Sequence, residues 1–150
     1  MSKTRKFLNE RKKEMNSIQF FIDGDPKGKA RPRVTKTHTY TPQSTAEYEK
    51  LVALSYQNEA KGKTFGDKPI YLNINAFFSI PKRTSRKNRE LMVKNKIYAT
   101  KKPDADNIIK IIADALNGVA YNDDKQIVMC SCGKYYTDGE PFVCVYIQEI

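Results

Sequence analysis

The sequence holds few of the residue types that most often mark zinc sites or disulfide scaffolds. It contains one histidine and three cysteines in 150 residues, and an odd number of cysteines argues against a disulfide framework. Cys130, Cys132 and Cys144 lack a fourth soft ligand, so we expect them to pack in the core rather than hold zinc. His38 stands alone in a threonine-rich segment, where a surface position is expected.

Long apolar runs are also missing. No segment approaches the ~20 apolar residues that span a bilayer, and the basic start MSKTRKFLNERKKEMN has no apolar stretch of the secretory type. Hydrophobic residues make up 39% and charged residues 29%, which is typical of a globular domain. We therefore expect a cytoplasmic protein without membrane attachment, built as one domain at residues 16–150 behind a basic extension at residues 1–15.

Positive charge is in excess, with a formal net charge of +10, and it is clustered. Residues 27–36 carry five Lys or Arg and no acid, and residues 82–102 carry nine with one Glu. Clustering favours a polyanion partner, whose phosphates release counterions on binding, over a merely soluble surface. The side chains predicted to contact DNA are Lys29, Arg31, Arg33, Arg83, Arg86, Lys87, Arg89, Lys101 and Lys102.

Hydrophobic periodicity predicts an α+β fold, a single small domain in which a mixed β-sheet packs with two principal helices. Strands are predicted at residues 17–23, 70–80, 126–136 and 141–149, and helices at residues 44–59, 84–94 and from 105 or 106 to 117. The last two strands flank a TDGE turn and are predicted to pair as a hairpin. In the helix at 44–59, the apolar residues are Ala46, Leu51, Ala53 and Leu54, with Glu47 and Glu49 as an acidic first turn.

The stretch KKPDADNIIKIIADALNG concentrates acids in an otherwise basic chain. An apolar stripe at helical spacing predicts one buried face, formed by Ile108, Ile111, Ile112, Ala115 and Leu116. Asp106, Lys110 and Asp114 repeat every four residues on a different face. One Asp would serve as an N-cap, and Asp106 with Lys110 would form an ordinary ion pair. Two Asp followed by Asn107 exceed what a cap requires.

A second acidic pair, Asp123 and Asp124, follows within a short loop of the end of this helix. The chain reverses near Gly118, so we expect the second pair to return to the helix start and meet Asp104 and Asp106. Several carboxylates without soft ligands indicate Mg²⁺, or Mn²⁺, rather than zinc. Such a metal in a basic frame suits phosphodiester hydrolysis, and Lys110 is placed to stabilise charge that develops on the phosphate.

Three segments of the chain resemble a known family. KPDADNIIKIIADALNGVAYNDDKQI, together with GDPKGKARPR and the YTP of residues 40–42, resembles the RusA family of crossover junction endodeoxyribonucleases. The resemblance covers about residues 17–149. It implies a small dimer, often of prophage origin, that requires Mg²⁺ and resolves Holliday junctions by symmetric nicks in two opposed strands.

The resemblance also implies roles for single residues. Asp104 and Asp106 match the paired metal-binding acids, Lys110 the essential lysine, and Asp124 the third catalytic aspartate. Asp123 is its acidic neighbour, and whether Asp123 or Asp124 coordinates the metal directly stays open.

Two other functions remain compatible with the residues. A non-catalytic, basic nucleic-acid-binding protein would use the same acids as caps and solubilising charge. A metal nuclease that acts on other branched DNA, on flaps or on RNA would share the site chemistry.

Overall fold

The computed structural model describes residues 4–5 and 16–150, so most of the predicted extension at residues 1–15 lies outside the described part. The strands are β1 (Ser17–Asp23), β2 (Arg33–Val34), β3 (Thr39–Tyr40), β4 (Ile70–Ser79), β5 (Ile127–Thr137) and β6 (Phe142–Glu149). The helices within these residues are α1 (Gln43–Ala60), α2 (Arg86–Val93) and α3 (Ala105–Leu116), and a 3₁₀ turn spans Asp124–Gln126. The α+β fold with a mixed sheet is confirmed.

The main sheet has four strands in the order β1-β6-β4-β5. Strand β6 pairs antiparallel with both β1 and β4, whereas β4 and β5 run parallel. The predicted hairpin of the last two strands is therefore wrong, because β4 lies between them. A physical reason is visible in β6, where Phe142, Val143, Cys144 and Val145 are all buried. A strand that buries both faces belongs in the sheet interior.

Helices α1 and α3 cover one face of this sheet and enclose the main core. The predicted apolar stripe of α3 is confirmed, since all five of its side chains are buried. Alternating residues of β4 are also buried on this face, and they are Ile70, Leu72, Ile74, Ala76 and Phe78. Together these two patterns form the centre of the core.

The buried face of α1 differs from the predicted one. Tyr48, Val52 and Tyr56 point into the core, whereas Leu51 and Leu54 are 39% and 54% exposed. The aromatic rings set the rotation of α1 about its axis, because Tyr56 packs edge-on against Phe20 of β1 with ring centroids 5.6 Å apart. Large aromatic side chains bury more apolar area than the leucines would.

The other face of the sheet carries a second, smaller cluster. Phe77 stacks on Phe142 with ring centroids 4.6 Å apart, and Cys144 is buried beside them. The cysteine prediction holds only in part: Cys144 is buried, Cys132 is half-buried, and Cys130 is exposed on the edge strand. Burial raises the pKa of the Cys132 thiol to about 11, so this thiol stays protonated near neutral pH.

The basic segments lie outside both clusters. The loop after β1 contains the short β2–β3 ribbon, which includes the exposed Arg33, and His38 is exposed as expected. Helix α2 begins after Ser85, whose hydroxyl accepts a hydrogen bond from the Asn88 amide at 3.2 Å, and it buries none of its residues. No helix of the described chain is long and apolar enough to cross a membrane.

The observed face of α1 makes a prediction about stability. Val52→Ala removes two methyl groups from a fully buried position, so the free energy of unfolding should fall by about 2 kcal/mol because burial is reduced and a cavity is added. Leu54→Ala, at an exposed position of the same helix, should change it by less than about 0.5 kcal/mol. Urea unfolding of both variants measures the two values, and a reversed order would contradict the observed orientation of the helix.

Candidate active site

Two exposed aspartates stand at the start of α3. Asp104 is the N-cap residue, but its side chain makes no capping hydrogen bond, and Asp106 lies in the first turn. Within the described chain, neither carboxylate has a hydrogen bond or an ion pair. The positive end of the helix dipole offsets part of their mutual repulsion. Their oxygens are therefore free to bind a hard cation, and carboxylate oxygens are the kind of ligand that Mg²⁺ prefers.

A pocket of about 520 Å³ opens beside Asp104. Residues 27–30, the start of α1 and the start of α3 form its walls. Three lysines line it, Lys27, Lys29 and Lys102, together with the hydroxyl-bearing Ser44 and Thr45. A free carboxylate pair thus borders a concave surface with mostly positive charge.

The wall formed by residues 27–30 depends on a close approach between this loop and the start of α3. A Cβ atom at Gly28 would lie 2.8 Å from Pro103 Cβ and 2.9 Å from Asn107 Cβ. The amide of Lys29 donates a hydrogen bond to the Asn107 carbonyl oxygen at 2.9 Å. Only glycine leaves enough room at position 28 for the loop to reach the first turns of α3.

Lys29, predicted to contact DNA, lies in a half-buried ion-pair network. Its ammonium group contacts the carboxylates of Glu49 and Asp114, the latter at 3.2 Å, and Asp114 also pairs with Lys110 at 3.0 Å. Burial lowers the pKa of Lys29, but the hydrogen bonds and charges of Glu49 and Asp114 more than compensate, so that its pKa is raised. The network ties the loop, α1 and α3 together around a lysine that is charged at neutral pH.

The second acidic pair begins the 3₁₀ turn. The Asp123 carboxylate accepts a hydrogen bond from the Lys125 amide at 2.9 Å, and the Gln126 side chain accepts one from the Asp123 amide at 2.8 Å. The bond from Lys125 is the main cause that holds the pKa of Asp123 below its usual value. This capping box occupies Asp123, which makes Asp124 the better candidate of the pair for a metal ligand.

Asp124 lies near the second half of α3. The buried Tyr121 donates a hydrogen bond to the Ala113 carbonyl oxygen at 2.7 Å. Burial raises the pKa of Tyr121, and the nearby charges of Asp124 and Asp114 raise it further. Tyr121 thus has both Asp114 and Asp124 in its surroundings, beside the second half of α3.

The expected meeting of both acidic pairs is not observed. Among the described residues, no three Asp, Glu, His or Cys side chains come close enough together to hold a metal ion. The arrangement offers two free carboxylates rather than three. Two are enough for Mg²⁺ in many nucleotide-processing sites, because substrate phosphates and water fill its other positions.

The other predicted DNA contacts are spread over several exposed surfaces. Arg31, Arg33, Arg83, Arg86, Lys87, Lys101 and Lys102 are exposed, and Arg89 is half-buried. Arg86 lies 3.7 Å from Glu90, and Arg89 donates to the Pro81 carbonyl oxygen at 3.4 Å. The ammonium group of Lys101 lies 5.2 Å from the centre of the Phe78 ring. These interactions leave most of the guanidinium and ammonium groups facing solvent.

Sequence reasoning missed several residues that shape the site. Glu49, interpreted as a first-turn charge, is a partner of Lys29, because α1 packs beside α3 and the loop after β1 reaches both helices. Lys27 and Gly28 line the pocket. The four-residue spacing between Lys110 and Asp114 was visible in the sequence and allowed an ion pair. The contact between Asp114 and Lys29 was not visible there, because it depends on the packing of the loop after β1.

Comparison with known proteins identifies a family for this chain. Residues 23–148 match the model of the family described as endodeoxyribonuclease RusA. The chain is 32% identical over 142 residues to the "uncharacterized protein YqaN" of Bacillus subtilis (strain 168), covering 91% of this chain and 99% of that protein. The family match spans most of the sequence, so the chain belongs to the RusA family of endodeoxyribonucleases.

The tight approach at Gly28 makes a prediction about the pocket. Gly28→Ala should lower the free energy of unfolding by about 1–3 kcal/mol, or displace the loop, because the new methyl group overlaps Pro103 and Asn107. Chemical denaturation measures the first effect, and hydrogen exchange of the Lys29 amide measures the second. An unchanged unfolding energy together with unchanged amide protection would show that the loop does not pack against α3.

Proposed function

We propose that this protein is a Mg²⁺-dependent, structure-selective endodeoxyribonuclease that resolves Holliday junctions by paired, symmetric nicks in cytoplasmic DNA recombination and repair. Family membership supports the class of reaction. The observation that carries the metal requirement is the free carboxylate pair of Asp104 and Asp106 beside a pocket lined by lysines. A protein that only bound DNA would gain nothing from two uncompensated negative charges on its basic surface.

The residues present fit a hard divalent cation. Asp104 and Asp106 would hold Mg²⁺, or Mn²⁺. Asp124, with Asp123 as its neighbour, is proposed as a third acid, although it forms no group of three with them among the described residues. When bound, the metal supplies Lewis-acid activation of the phosphodiester and of water. Lys110 would stabilise the negative charge that develops on the phosphate. Lys29, Lys102 and the exposed Arg31 and Arg33 would hold the flanking DNA backbone, which fixes its position more than it reads its sequence.

Symmetry supports a homodimer as the active form. A four-way junction has approximate two-fold symmetry, so a dimer with two-fold symmetry would bring one active site to each of two opposed strands. The exposed basic helix α2, with Arg86 and Lys87, together with Arg83 before it and Arg89 within it, extends the positive surface beyond a single cleavage site. Branched DNA, which presents several duplex arms, matches a surface of this extent better than one short duplex.

Cleavage of a synthetic mobile four-way junction tests the proposal. The wild-type protein should cut the junction with Mg²⁺ but not with EDTA, whereas Asp106→Asn should bind it normally and cut more than about 100-fold more slowly. Loss of a direct ligand should exceed the 10–100-fold cost typical of outer-shell partners. Gel assays of nicking and of binding in EDTA measure the two properties separately.

Asp138→Asn is the matched control, since it removes one exposed carboxylate from the turn between β5 and β6, outside the pocket and both acidic pairs, and should keep wild-type activity. Flap, linear duplex and RNA substrates at equal concentration test selectivity. Equal cleavage of all of them would reject a junction resolvase in favour of a more general nuclease. Binding without any metal-stimulated cleavage would favour a non-catalytic binding protein.

The exposed arginines of the loop after β1 make a prediction about salt dependence. Arg31→Ala and Arg33→Ala should each weaken junction binding, and should each reduce the slope of log affinity against log salt by about 0.9 for every phosphate that the variant no longer neutralises. Lys50→Ala, on the exposed side of α1, should leave the slope unchanged. Fluorescence anisotropy in EDTA across a range of salt concentrations gives the slopes. Identical slopes for the wild-type protein and all three variants would remove this loop from the DNA interface.

A further inference from the structure

Asp114 occupies the centre of the ion-pair network next to the site. One of its carboxylate oxygens lies 3.0 Å from the ammonium nitrogen of Lys110, and the other lies 3.2 Å from that of Lys29. The Asp114 side chain is 21% exposed, whereas that of Lys110 is 58% exposed. A half-buried anchor thus holds the end of a lysine that otherwise faces solvent.

Helix stability alone does not account for this pair. Asp114 lies in the last turn of α3, where the negative end of the helix dipole disfavours an acid. The order of the pair, with the lysine before the acid, is also the weaker of the two arrangements at this spacing. Asp106 offers Lys110 the stronger arrangement one turn earlier, yet Lys110 contacts Asp114.

We propose that Asp114 is a positioning residue that keeps Lys110 away from Asp106. Its contact with Lys110 fixes the ammonium group that the proposed mechanism places at the phosphate. The same contact leaves the Asp106 carboxylate free for the metal, and the second contact, to Lys29, holds Asp114 itself in place. This inference rests on the proposed function, and it assigns a role to a residue that touches neither metal nor DNA.

The choice of partner has a measurable consequence. Without the Asp114 carboxylate, Lys110 can turn to Asp106, in the favourable order for a helix pair. An ammonium group on Asp106 competes with the divalent ion for that carboxylate, and its charge is then neutralised by Asp106 instead of stabilising the phosphate. Both metal affinity and turnover should then fall, although the protein stays folded and still binds DNA.

The test combines Asp114→Asn, Lys110→Ala and the double variant. Asp114→Asn should lower turnover about 10- to 100-fold, as expected for a supporting residue, with junction affinity unchanged. It should also weaken Mg²⁺ binding to the DNA-free protein about twofold, the size of one competing helix pair. Backbone amide chemical shifts of residues 104–107 during a Mg²⁺ titration measure that affinity without any catalysis.

The double-mutant cycle separates positioning from a general structural role. In the Lys110→Ala background, Asp114→Asn should cause no further loss of turnover and no further loss of Mg²⁺ affinity. Glu47→Gln is the matched control: it removes one negative charge from an exposed position of α1 outside the network and leaves the contact between Lys110 and Asp114, so both quantities should stay near wild type. Asp114→Glu keeps the charge and should recover most of the activity. Asp114→Ala replaces Asp114→Asn in the cycle if that variant does not fold.

Additive effects in the cycle, or equal losses in Asp114→Asn and Glu47→Gln, would overturn the inference while the wild-type protein still cuts junctions. A wild-type protein that cuts no branched DNA with Mg²⁺ would instead reject the proposed function, and this inference with it. The two failures are therefore distinguishable in one set of experiments.

Discussion

Burial of one face of α3 against the sheet and α1 is the constraint on which the site depends. Ile108, Ile111 and Leu116 are fully buried, so the rotation of the helix about its axis is fixed. A fixed rotation sends Asp106, Lys110 and Asp114 to the surface, where Asp114 meets the loop after β1. Hydrophobic packing, which has no direct chemical role, thereby sets the directions of the charged side chains.

Local patterns were enough to predict the elements that carry this constraint. The bounds of β1 agree with the prediction, and those of α3 and β4 agree within a residue. The buried face of α3 was expected because periodicity is a property of the segment itself. Strand pairing is not local. A short turn between residues 136 and 141 suggested a hairpin, but β6 buries both faces and inserts between β1 and β4. The pairing of β6 depends on the burial of both its faces, which cannot be read from the sequence of any single segment.

The candidate site was predictable where its residues are close together in the sequence, and not where distant segments meet. The segment around Asp104 and Asp106 and the motif that contains Lys110 stand out in the sequence, because like charges gather there without a local reason. Glu49 and Gly28 did not stand out, because their parts depend on the contact between a loop and two helices that are distant in sequence. Asp124 shows the limit most clearly: its place near the second half of α3 follows from how Tyr121 is buried under that helix.

The distribution of cations around α3 links the fold to the proposed chemistry. Lysines both precede and follow Asp104 and Asp106, yet among the described residues each finds another neighbour or faces solvent. Lys101 lies over the Phe78 ring, and its carbonyl oxygen accepts a hydrogen bond from Lys134, while Lys110 pairs with Asp114. A chain with net charge +10 could neutralise two exposed carboxylates at little cost. Because its fold directs the nearest cations elsewhere, the carboxylates stay available to a divalent ion, and the lysines stay close enough to attract the phosphates that such an ion would activate.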